Sequence, residues 1–539
     1  MMTATITRPL GLAGVPARDW AFGIRIWMAV VLALAASFWL ELEVPSSAAL
    51  TVVILALPTR GQALDKAVYR SLATLVGVTA ALVIMGVFSQ ARDLLLAALA
   101  GWIGLCVYAA GLMDGTRAYA AVLSGYTVAL VAIQQLDTPE HVFESGVARG
   151  AAIAIGIVAI AVVNDLFAAP DNHPQLVSRL AALHSRARDY AKAAFQNAPS
   201  DAAVAAGLLR DVAALHPDLT SLAGESSSGG VRAAAARSTA VALVAAVSAA
   251  RALKVLPPTA DPAAASRELA RRDAQVRDNL VALSAGARPQ RTWRTPLYRS
   301  QWIAVAAGIR AAAWLALAAV FFVLAGWPTA DAALSTVAVV IGLGATTPNP
   351  NGFTVIAFVV APIAAVLAGT LEFLVLDGVN EFPLLALALA PFVIGTAVLM
   401  TRPNPSLASL GRLSLVFMIV IFAPNNPPAY DPQSFLFTSL FVGVSTALLL
   451  AAQMLVPTES NERRQRWILA SVRRDFERVL SRRDRGLAPE EAMFRDATRI
   501  AQIPASATSP RDSAVLAEAL SYFDRAAAIR FAHAREIVS

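Results

Sequence analysis

The chain has 539 residues, of which 57% are hydrophobic and 15% are charged, and its mean hydropathy is +0.59. Soluble domains are about 45–50% apolar and about 25% charged, so this composition excludes an ordinary soluble protein and indicates many membrane crossings. The net charge of +7 does not indicate nucleic-acid binding. The basic residues cluster beside apolar runs, where the positively charged loops of membrane proteins lie.

Apolar stretches of about the 20 residues that span a bilayer follow one another along the chain. Six lie in the first half, near residues 21–40, 46–58, 71–88, 94–112, 118–136 and 146–168. Six lie in the second half, near 302–326, 330–346, 353–376, 382–400, 406–423 and 434–456. The first stretch is too long for a signal peptide, and we interpret it as a retained helix. The predicted fold class is an all-α polytopic membrane protein with about 12 spans.

The two groups of spans repeat each other at an offset of about 284 residues. In the first half the pattern is Gly23-Ile24-Arg25, a turn at Pro45, and Ala48-Ala49-Leu50-Thr51. In the second half it is Gly308-Ile309-Arg310, a turn at Trp327-Pro328, and Ala332-Ala333-Leu334-Ser335. The sequence therefore predicts two parallel-repeat halves of about six transmembrane helices each.

The second span of each half is short and bounded by prolines, Pro45 and Pro58 in one case and Pro328 and Pro348 in the other. Short, interrupted segments at matching places in two halves often mark the binding site of a transporter. A short tilted crossing is the alternative interpretation, and the sequence leaves both open.

Charged residues return in two regions, which gives the predicted domains. These are a first transmembrane half (1–169), a cytoplasmic helical bundle (170–300), a second transmembrane half (301–457) and C-terminal cytoplasmic helices (458–539). Arg60, Lys66 and Arg70 are interpreted as residues of a positive loop after the second span. Because such loops stay in the cytoplasm, both termini are predicted to be cytoplasmic.

Several arginines fall inside predicted spans, where a charged side chain costs about 2.5–3.5 kcal/mol on insertion scales. Arg25 is about one turn inside its span and can reach the headgroups. Arg310 lies roughly 12 Å into its span, and Arg412 is surrounded by apolar neighbours. Arg149 lies near the end of its span and is interpreted as interfacial. The deep arginines are candidates for binding an anion.

Carboxylates inside the spans are fewer. Glu372 lies within the ninth span, and Asp114 is close to Arg117 in the loop before the fifth span. A carboxyl group in a low-dielectric environment can take up and release a proton, so Glu372 and Asp114 are candidates for proton coupling. Contact of Glu372 with water at the span end, and a simple Asp114–Arg117 ion pair, are the alternatives.

Motifs for enzymatic chemistry are missing from the sequence. There is no phosphate-binding P-loop, dinucleotide fingerprint, nucleophile elbow or zinc-protease motif. The single cysteine, Cys106, forms no intrachain disulfide, and the five histidines have no metal-ligand spacing. We therefore predict a protein that is not an enzyme and holds no cofactor or metal.

Several segments resemble the fusaric acid resistance family, and within it the inner-membrane subunits of p-hydroxybenzoic acid efflux pumps. They are Leu112 to Ala120, Ser124-Gly125-Tyr126-Thr127, Pro45 to Thr51, Pro348-Asn349-Pro350, Glu225-Ser226-Ser227 and Phe417 to Pro427. Together they cover nearly the whole chain in the family's order. The central cytoplasmic region is shorter and less charged than is usual in the family.

The resemblance implies proton-driven export of aromatic carboxylic acids or similar small hydrophobic anions, and a periplasmic membrane-fusion adaptor subunit as partner. Arginines suit a carboxylate ligand because guanidinium binds it bidentately. Our hypothesis is that Arg310 and Arg412 hold the carboxylate and that Arg25 and Arg117 guard the cytoplasmic entrance. In the same hypothesis, Tyr119 and Tyr126 contact the substrate, and Glu372 and Asp114 couple its export to proton movement.

Two rival functions remain at this point. A passive organic-anion channel would move acids without responding to the proton gradient. A non-transporting membrane scaffold or an embedded enzyme would move no acid at all. The sequence also leaves open whether copies of the chain form a homo-oligomer.

Overall fold

A computed structural model describes residues 11–538, with gaps at 13, 58, 168–171, 197–201, 226–227, 255–261, 327–329, 429, 483–485 and 504–509. The predicted turn at Trp327-Pro328, Pro58 and the Ser226-Ser227 pair lie outside the described residues. A short antiparallel hairpin of β1 (Gly11–Leu12) and β2 (Val15–Pro16) precedes the helices.

The other regular elements of the described chain are helices. The first six helices are α1 (Ala17–Trp39), α2 (Pro45–Leu55), α3 (Arg60–Phe88), α4 (Arg92–Leu112), α5 (Gly115–Ala132) and α6 (Val142–Leu166). The next are α7 (His173–Phe195), α8 (Ala202–Ala214), α9 (His216–Ser221), α10 (Gly229–Lys254) and α11 (Pro262–Ala285). They are followed by α12 (Gln301–Ala325), α13 (Ala330–Ala345), α14 (Pro350–Gly369), α15 (Phe382–Met400), α16 (Pro405–Phe422) and α17 (Pro432–Leu455). The last are α18 (Asn461–Leu480), α19 (Pro489–Ala501) and α20 (Pro510–Val538).

Proline sets the start of several helices. Pro45, Pro350, Pro405 and Pro432 each occupy the first turn of their helix. Proline is tolerated there because the first amide of a helix has no partner within the helix, and its fixed φ suits the first turn. The short loops between apolar runs therefore end at defined positions.

The chain divides into two compact units. One, the membrane unit, contains residues 1–170 and 304–458. The other, the bundle unit, contains residues 171–303 and 459–539. Each has its own apolar core among the described residues.

The membrane unit has the helices of a multi-pass membrane protein. Eleven described helices are long and apolar enough to cross a bilayer, and ten of them lie in this unit. The eleventh candidate is α10, whose apolar window is 83% buried inside the bundle unit, so we assign it to that core. The shorter helices α2 and α13 complete the twelve predicted segments. The predicted all-α polytopic fold is confirmed.

The packing of the membrane unit repeats as the sequence does. Helix α1 packs on α15 and α2 on α16, both across the two halves. The repeat-related pairs are α12 with α4 and α13 with α5, and both contacts are present. Because both of these contacts between the halves have their counterpart, the halves are related as two copies of one six-helix design.

Small residues allow the α4–α12 contact. A Cβ added to Gly308 would lie 2.6 Å from the carbonyl oxygen of Gly104, and one added to Gly104 would lie 2.8 Å from that of Gly308. Helices in membranes associate largely by such close packing. The Gly308 of the repeated Gly-Ile-Arg motif is therefore an interface residue.

Helix α3 begins at Arg60, well before the predicted span at 71–88. The interpretation of Lys66 and Arg70 as loop residues was wrong, since both lie within the helix. Their charges lower the local hydropathy, but their polar atoms find hydrogen-bond partners in neighbouring helices.

Candidate functional site

A cavity of about 230 Å³ lies in the membrane unit between the two halves. Helices α2, α3, α5 and α6 of the first half and α13, α16 and α17 of the second half line it. Both short helices, α2 and α13, therefore contribute to the same cavity. Cavities between the repeats are where transporters commonly bind their substrates.

Arg70 is the most deeply buried charge at this cavity, with 2% of its surface exposed. It lies about 15 Å along α3 from the first residue of the helix. Its Nη1 donates to the hydroxyl of Tyr119 at 2.7 Å, and its Nη2 donates to Oγ1 of Thr51 at 3.0 Å. Its buried Nε has no hydrogen-bond partner among the described residues.

A second arginine and a tyrosine complete this group. Arg149 and Arg70 are close enough to repel each other, and the hydroxyl of Tyr126 lies within electrostatic reach of both. The Tyr126 ring packs against Gly342 of α13, where a Cβ would approach it to 2.8 Å. The Nε of Arg149 also has no hydrogen-bond partner among the described residues.

Across the described residues, no carboxylate forms an ion pair with Arg70 or Arg149. Two buried or half-buried positive charges without a counter-ion are costly in a low-dielectric interior. A bound anion would remove much of that cost.

The rest of the lining is amphipathic. Its polar members are Ser46, Ser47, Gln134, Ser145 and Thr336. Its apolar members are Val44, Leu50, Ile54, Leu130, Val339, Leu343, Val416, Phe417, Ile419, Val420 and Val442. Apolar walls with a few convergent polar groups are typical of small-molecule sites.

Further cations lie one turn before the cavity on their helices. Lys66 precedes Arg70 by four residues on α3, donates to the carbonyl of Ile54 at 2.7 Å and lies 4.8 Å from the ring centroid of Tyr119. Arg412 precedes the lining residue Val416 by four residues on α16, and it repels Lys66 electrostatically. Arg412 is exposed, although the next seven residues of α16, 413–419, are buried.

Helices α3 and α5 begin at the same face of the membrane unit, because Thr116 donates to Asp65 at 2.6 Å. Lys66 and Tyr119 are nearer that face than Arg70 and Tyr126 are. The cations thus follow a line from this face, through Arg70, to Arg149 in the first turns of α6.

A second cavity, of about 330 Å³, contains Glu372. This residue is 6% exposed and lies in a π-helical turn, Thr370–Val375, that follows α14. Single π-helical turns often occur at functional sites. The sequence located Glu372 inside a span but gave no sign of this turn.

The other candidates lie outside these two cavities. Arg25 is 6% exposed and sits 6.0 Å from the ring centroid of Phe22, whereas Arg310 is half-buried. Arg117 is exposed and donates to the Tyr69 hydroxyl at 3.0 Å. Asp114 is half-buried at the start of α5. Their roles stay predictions.

Arg70 is not among the site residues predicted from the sequence, and Arg149 was interpreted there as interfacial. One available signal was the four-residue spacing of Lys66 and Arg70, which puts both on one helix face. The burial of that face between the two halves could not be predicted from the sequence, because it depends on contacts between residues that are distant in sequence. No group of histidine, cysteine, aspartate or glutamate residues that could hold a metal occurs in the described residues.

Comparison with protein families gives two matches to one model, described as the fusaric acid resistance protein family, over residues 19–274 and 259–536. Two successive matches agree with the internal duplication. No solved structure matches the chain.

Curated relatives are transporters by name. The "Uncharacterized transporter YdhK" of Salmonella typhimurium is 28% identical over 186 residues, which make up 34% of this chain and 27% of that protein. The "p-hydroxybenzoic acid efflux pump subunit AaeB" of Musicola paradisiaca is 31% identical over 167 residues, 29% of this chain and 26% of its own length. The identically named subunit of Edwardsiella tarda is 25% identical over 525 residues, 83% of this chain and 78% of its own. The first two matches thus span about a quarter of those relatives.

Proposed function

The chain belongs to the fusaric acid resistance protein family, and we propose from that premise that it exports aromatic carboxylic acids across a bacterial inner membrane. The observation that carries this proposal is the pair of unneutralised guanidiniums, Arg70 and Arg149, in a cavity with apolar walls. The same-named efflux subunits among its relatives support the substrate class.

The chemistry of the cavity fits an aromatic acid. A guanidinium binds a carboxylate through charge-assisted hydrogen bonds, and Arg70 and Arg149 each keep an unused Nε donor. Tyr126 supplies a hydroxyl beside them, while Phe417, Leu130 and similar side chains pack against the ring. We assign the carboxylate to Arg70 and Arg149, residues that differ from the Arg310–Arg412 pair expected from the sequence.

Arg412 keeps a role in this scheme. With Lys66, it forms a positive approach to the cavity from the face at which α3 begins. The positive-inside rule supports the cytoplasm on that side, and therefore cytoplasmic termini. An acid would move from Arg412 and Lys66 to Arg70 and then to Arg149.

Glu372 is the proposed proton carrier, because it is a buried carboxylate in a cavity of the same unit. Exchange of one proton inward for one acid outward would use the proton gradient for export. A periplasmic membrane-fusion adaptor would receive the acid on the far side.

The test is uptake of labelled p-hydroxybenzoate into inside-out membrane vesicles, with and without a protonophore. Uptake by the wild type should collapse when the protonophore is added. Arg70→Gln and Arg149→Gln should each lower the initial rate about tenfold or more, since each removes a charged hydrogen bond worth about 1.5–3 kcal/mol. Arg92→Gln changes an exposed arginine at the start of α4 and should leave the rate unchanged.

A passive anion channel is the second candidate, and the line of cations from Arg412 to Arg149 favours it. It predicts uptake that follows the anion gradient and ignores the protonophore. Normal rates in both Arg70→Gln and Arg149→Gln would refute the assigned site. No uptake by the wild type over a panel of acids, with an adaptor present, would refute transport itself.

A further inference from the structure

The cavity around Glu372 has the opposite character to the one around Arg70. Among the described residues, no arginine or lysine lines it, and Glu381 joins Glu372 there. Asp431 is near enough to repel Glu372 electrostatically. An anionic ligand is therefore disfavoured in this cavity.

The Glu372 carboxylate has no cationic or hydrogen-bonding partner in the part of the chain that the structure describes. No hydrogen bond or ion pair reaches it from any residue that the structure describes, although only 6% of its surface is exposed. Its carboxylate can therefore meet a ligand only in the cavity it lines. A buried carboxylate without a cationic neighbour favours a cation as ligand.

Aromatic side chains form much of the wall. Phe38, Trp39, Phe382, Phe422 and Tyr430 all line the cavity. Phe38 and Phe382 stack edge to face with centroids 5.8 Å apart, which fixes two of these rings. Aromatic faces attract cations through the ring quadrupole, and quaternary ammonium groups are recognised in this way.

We propose that this second cavity binds a hydrophobic organic cation, such as an arylalkyl ammonium, with its charge between Glu372 and the aromatic rings. Asn380, Asn425 and Asn426 supply amide groups around the same space. The ligand class differs from that of the Arg70 cavity, so the inference goes beyond the export of acids. It would stand even if no acid were transported.

The direct test is equilibrium dialysis of labelled benzyltrimethylammonium against the purified full-length chain in detergent. Glu372→Gln removes the charge and keeps the shape, and should weaken binding about tenfold or more, equal to about 1.4 kcal/mol. Glu140→Gln, an exposed acid in the α5–α6 loop, should bind as the wild type does. Arg70→Gln should also leave binding unchanged.

Two further measurements keep the proposal falsifiable if Glu372→Gln folds poorly. Trp39→Leu changes a side chain that is 83% exposed and so should fold normally, yet it should weaken binding several-fold by removing one aromatic face. Neopentylbenzene, the uncharged analogue of benzyltrimethylammonium, should compete poorly. Equal competition by this hydrocarbon, or unchanged affinity in Glu372→Gln, would overturn the proposal.

A lipid ammonium group is a second source of the same chemistry. Adding phosphatidylethanolamine to the detergent micelles should leave benzyltrimethylammonium binding unchanged if the natural ligand is a free cation. Displacement by this lipid would overturn the assignment to a free cation.

Discussion

Arg70 combines two sets of contacts that a single charged residue rarely has in a membrane. Two of its donors hold α5 and α2 through Tyr119 and Thr51, and its buried Nε has no hydrogen-bond partner among the described residues. The guanidinium can therefore fasten three helices while it offers a charge to a ligand. Arginine suits this position better than lysine because its donors point in fixed, different directions.

Removing the Tyr119 hydroxyl should separate these two roles. In Tyr119→Phe, Arg70 loses its hydrogen bond to α5. The Arg70 side chain is then held less firmly between the cavity and Lys66, which lies over the ring of residue 119. We expect gradient-independent efflux of preloaded p-hydroxybenzoate from proteoliposomes to rise about tenfold or more, since a lost hydrogen bond to a charged group is worth about 1.5–3 kcal/mol.

The matched control is Tyr69→Phe, because Tyr69 lies on the same helix as Arg70. This change removes a hydroxyl that accepts a hydrogen bond from the exposed Arg117. Its passive efflux should equal that of the wild type. Equal efflux in Tyr119→Phe would show that the Arg70–Tyr119 bond does not close the route.

At the level of helices, the glycines between the halves carry the close contact. Gly308→Val should destabilise the membrane unit by about 1–3 kcal/mol, the usual effect of overpacking, because its Cβ meets backbone 2.6 Å away. Gly101→Val lies on α4 one turn from Gly104, with nothing within 4 Å of its Cβ, and should change the melting temperature little. Thermal unfolding in detergent measures both, and an equal loss in the two variants would contradict this interface.

Helices α18, α19 and α20 of the bundle unit meet at a buried ion network. Asp475 lies 2.9 Å from Arg495 and 3.3 Å from both Arg499 and Arg530. Burial alone would raise the pKa of Asp475, but the three guanidiniums outweigh burial and lower its pKa. Its stabilising effect is thus present above the ordinary aspartate pKa of about 3.9 and is lost as the pH falls through the lowered value.

We therefore expect Asp475→Asn to destabilise the bundle unit by about 3–5 kcal/mol, since breaking a buried ion pair leaves charge unpaired. Asp189→Asn, whose side chain is 67% exposed, is the control and should have little effect. Circular dichroism melts at pH 7 compare the two variants. The difference between wild type and Asp475→Asn should shrink as the pH is lowered below about 3.9, and a constant difference would argue against the charge effect.

The membrane helices were predicted best from the sequence, because an apolar run of about 20 residues is long enough to cross a bilayer as a helix. The start of α3 was misplaced where Lys66 and Arg70 interrupt such a run. Hydropathy treats each charge as exposed, whereas Tyr119, Thr51 and Ile54 satisfy these charges from other helices. The same limitation hid the site, since its members come from both halves of the chain.

At the scale of the whole molecule, the two repeated halves differ in the residues that they contribute to the Arg70 cavity. Helices α3, α5 and α6 begin 290 residues before α14, α16 and α17. Counted from these starts, Arg70 corresponds to Val360, Tyr126 to Val416 and Arg149 to Ser439. The packing is kept in both halves, but Arg70 and Arg149 have no charged counterpart in the second half.

This asymmetry predicts one acid-binding site in each chain rather than one in each half. Equilibrium dialysis of labelled p-hydroxybenzoate against the purified chain should saturate at one molecule per chain, because Val360 and Ser439 cannot pair with a second carboxylate. Arg70→Gln should abolish this binding, whereas Arg92→Gln should keep the stoichiometry. Saturation at two would mean that the second half holds an acid by other residues, and the guanidinium pair would no longer explain the number of sites.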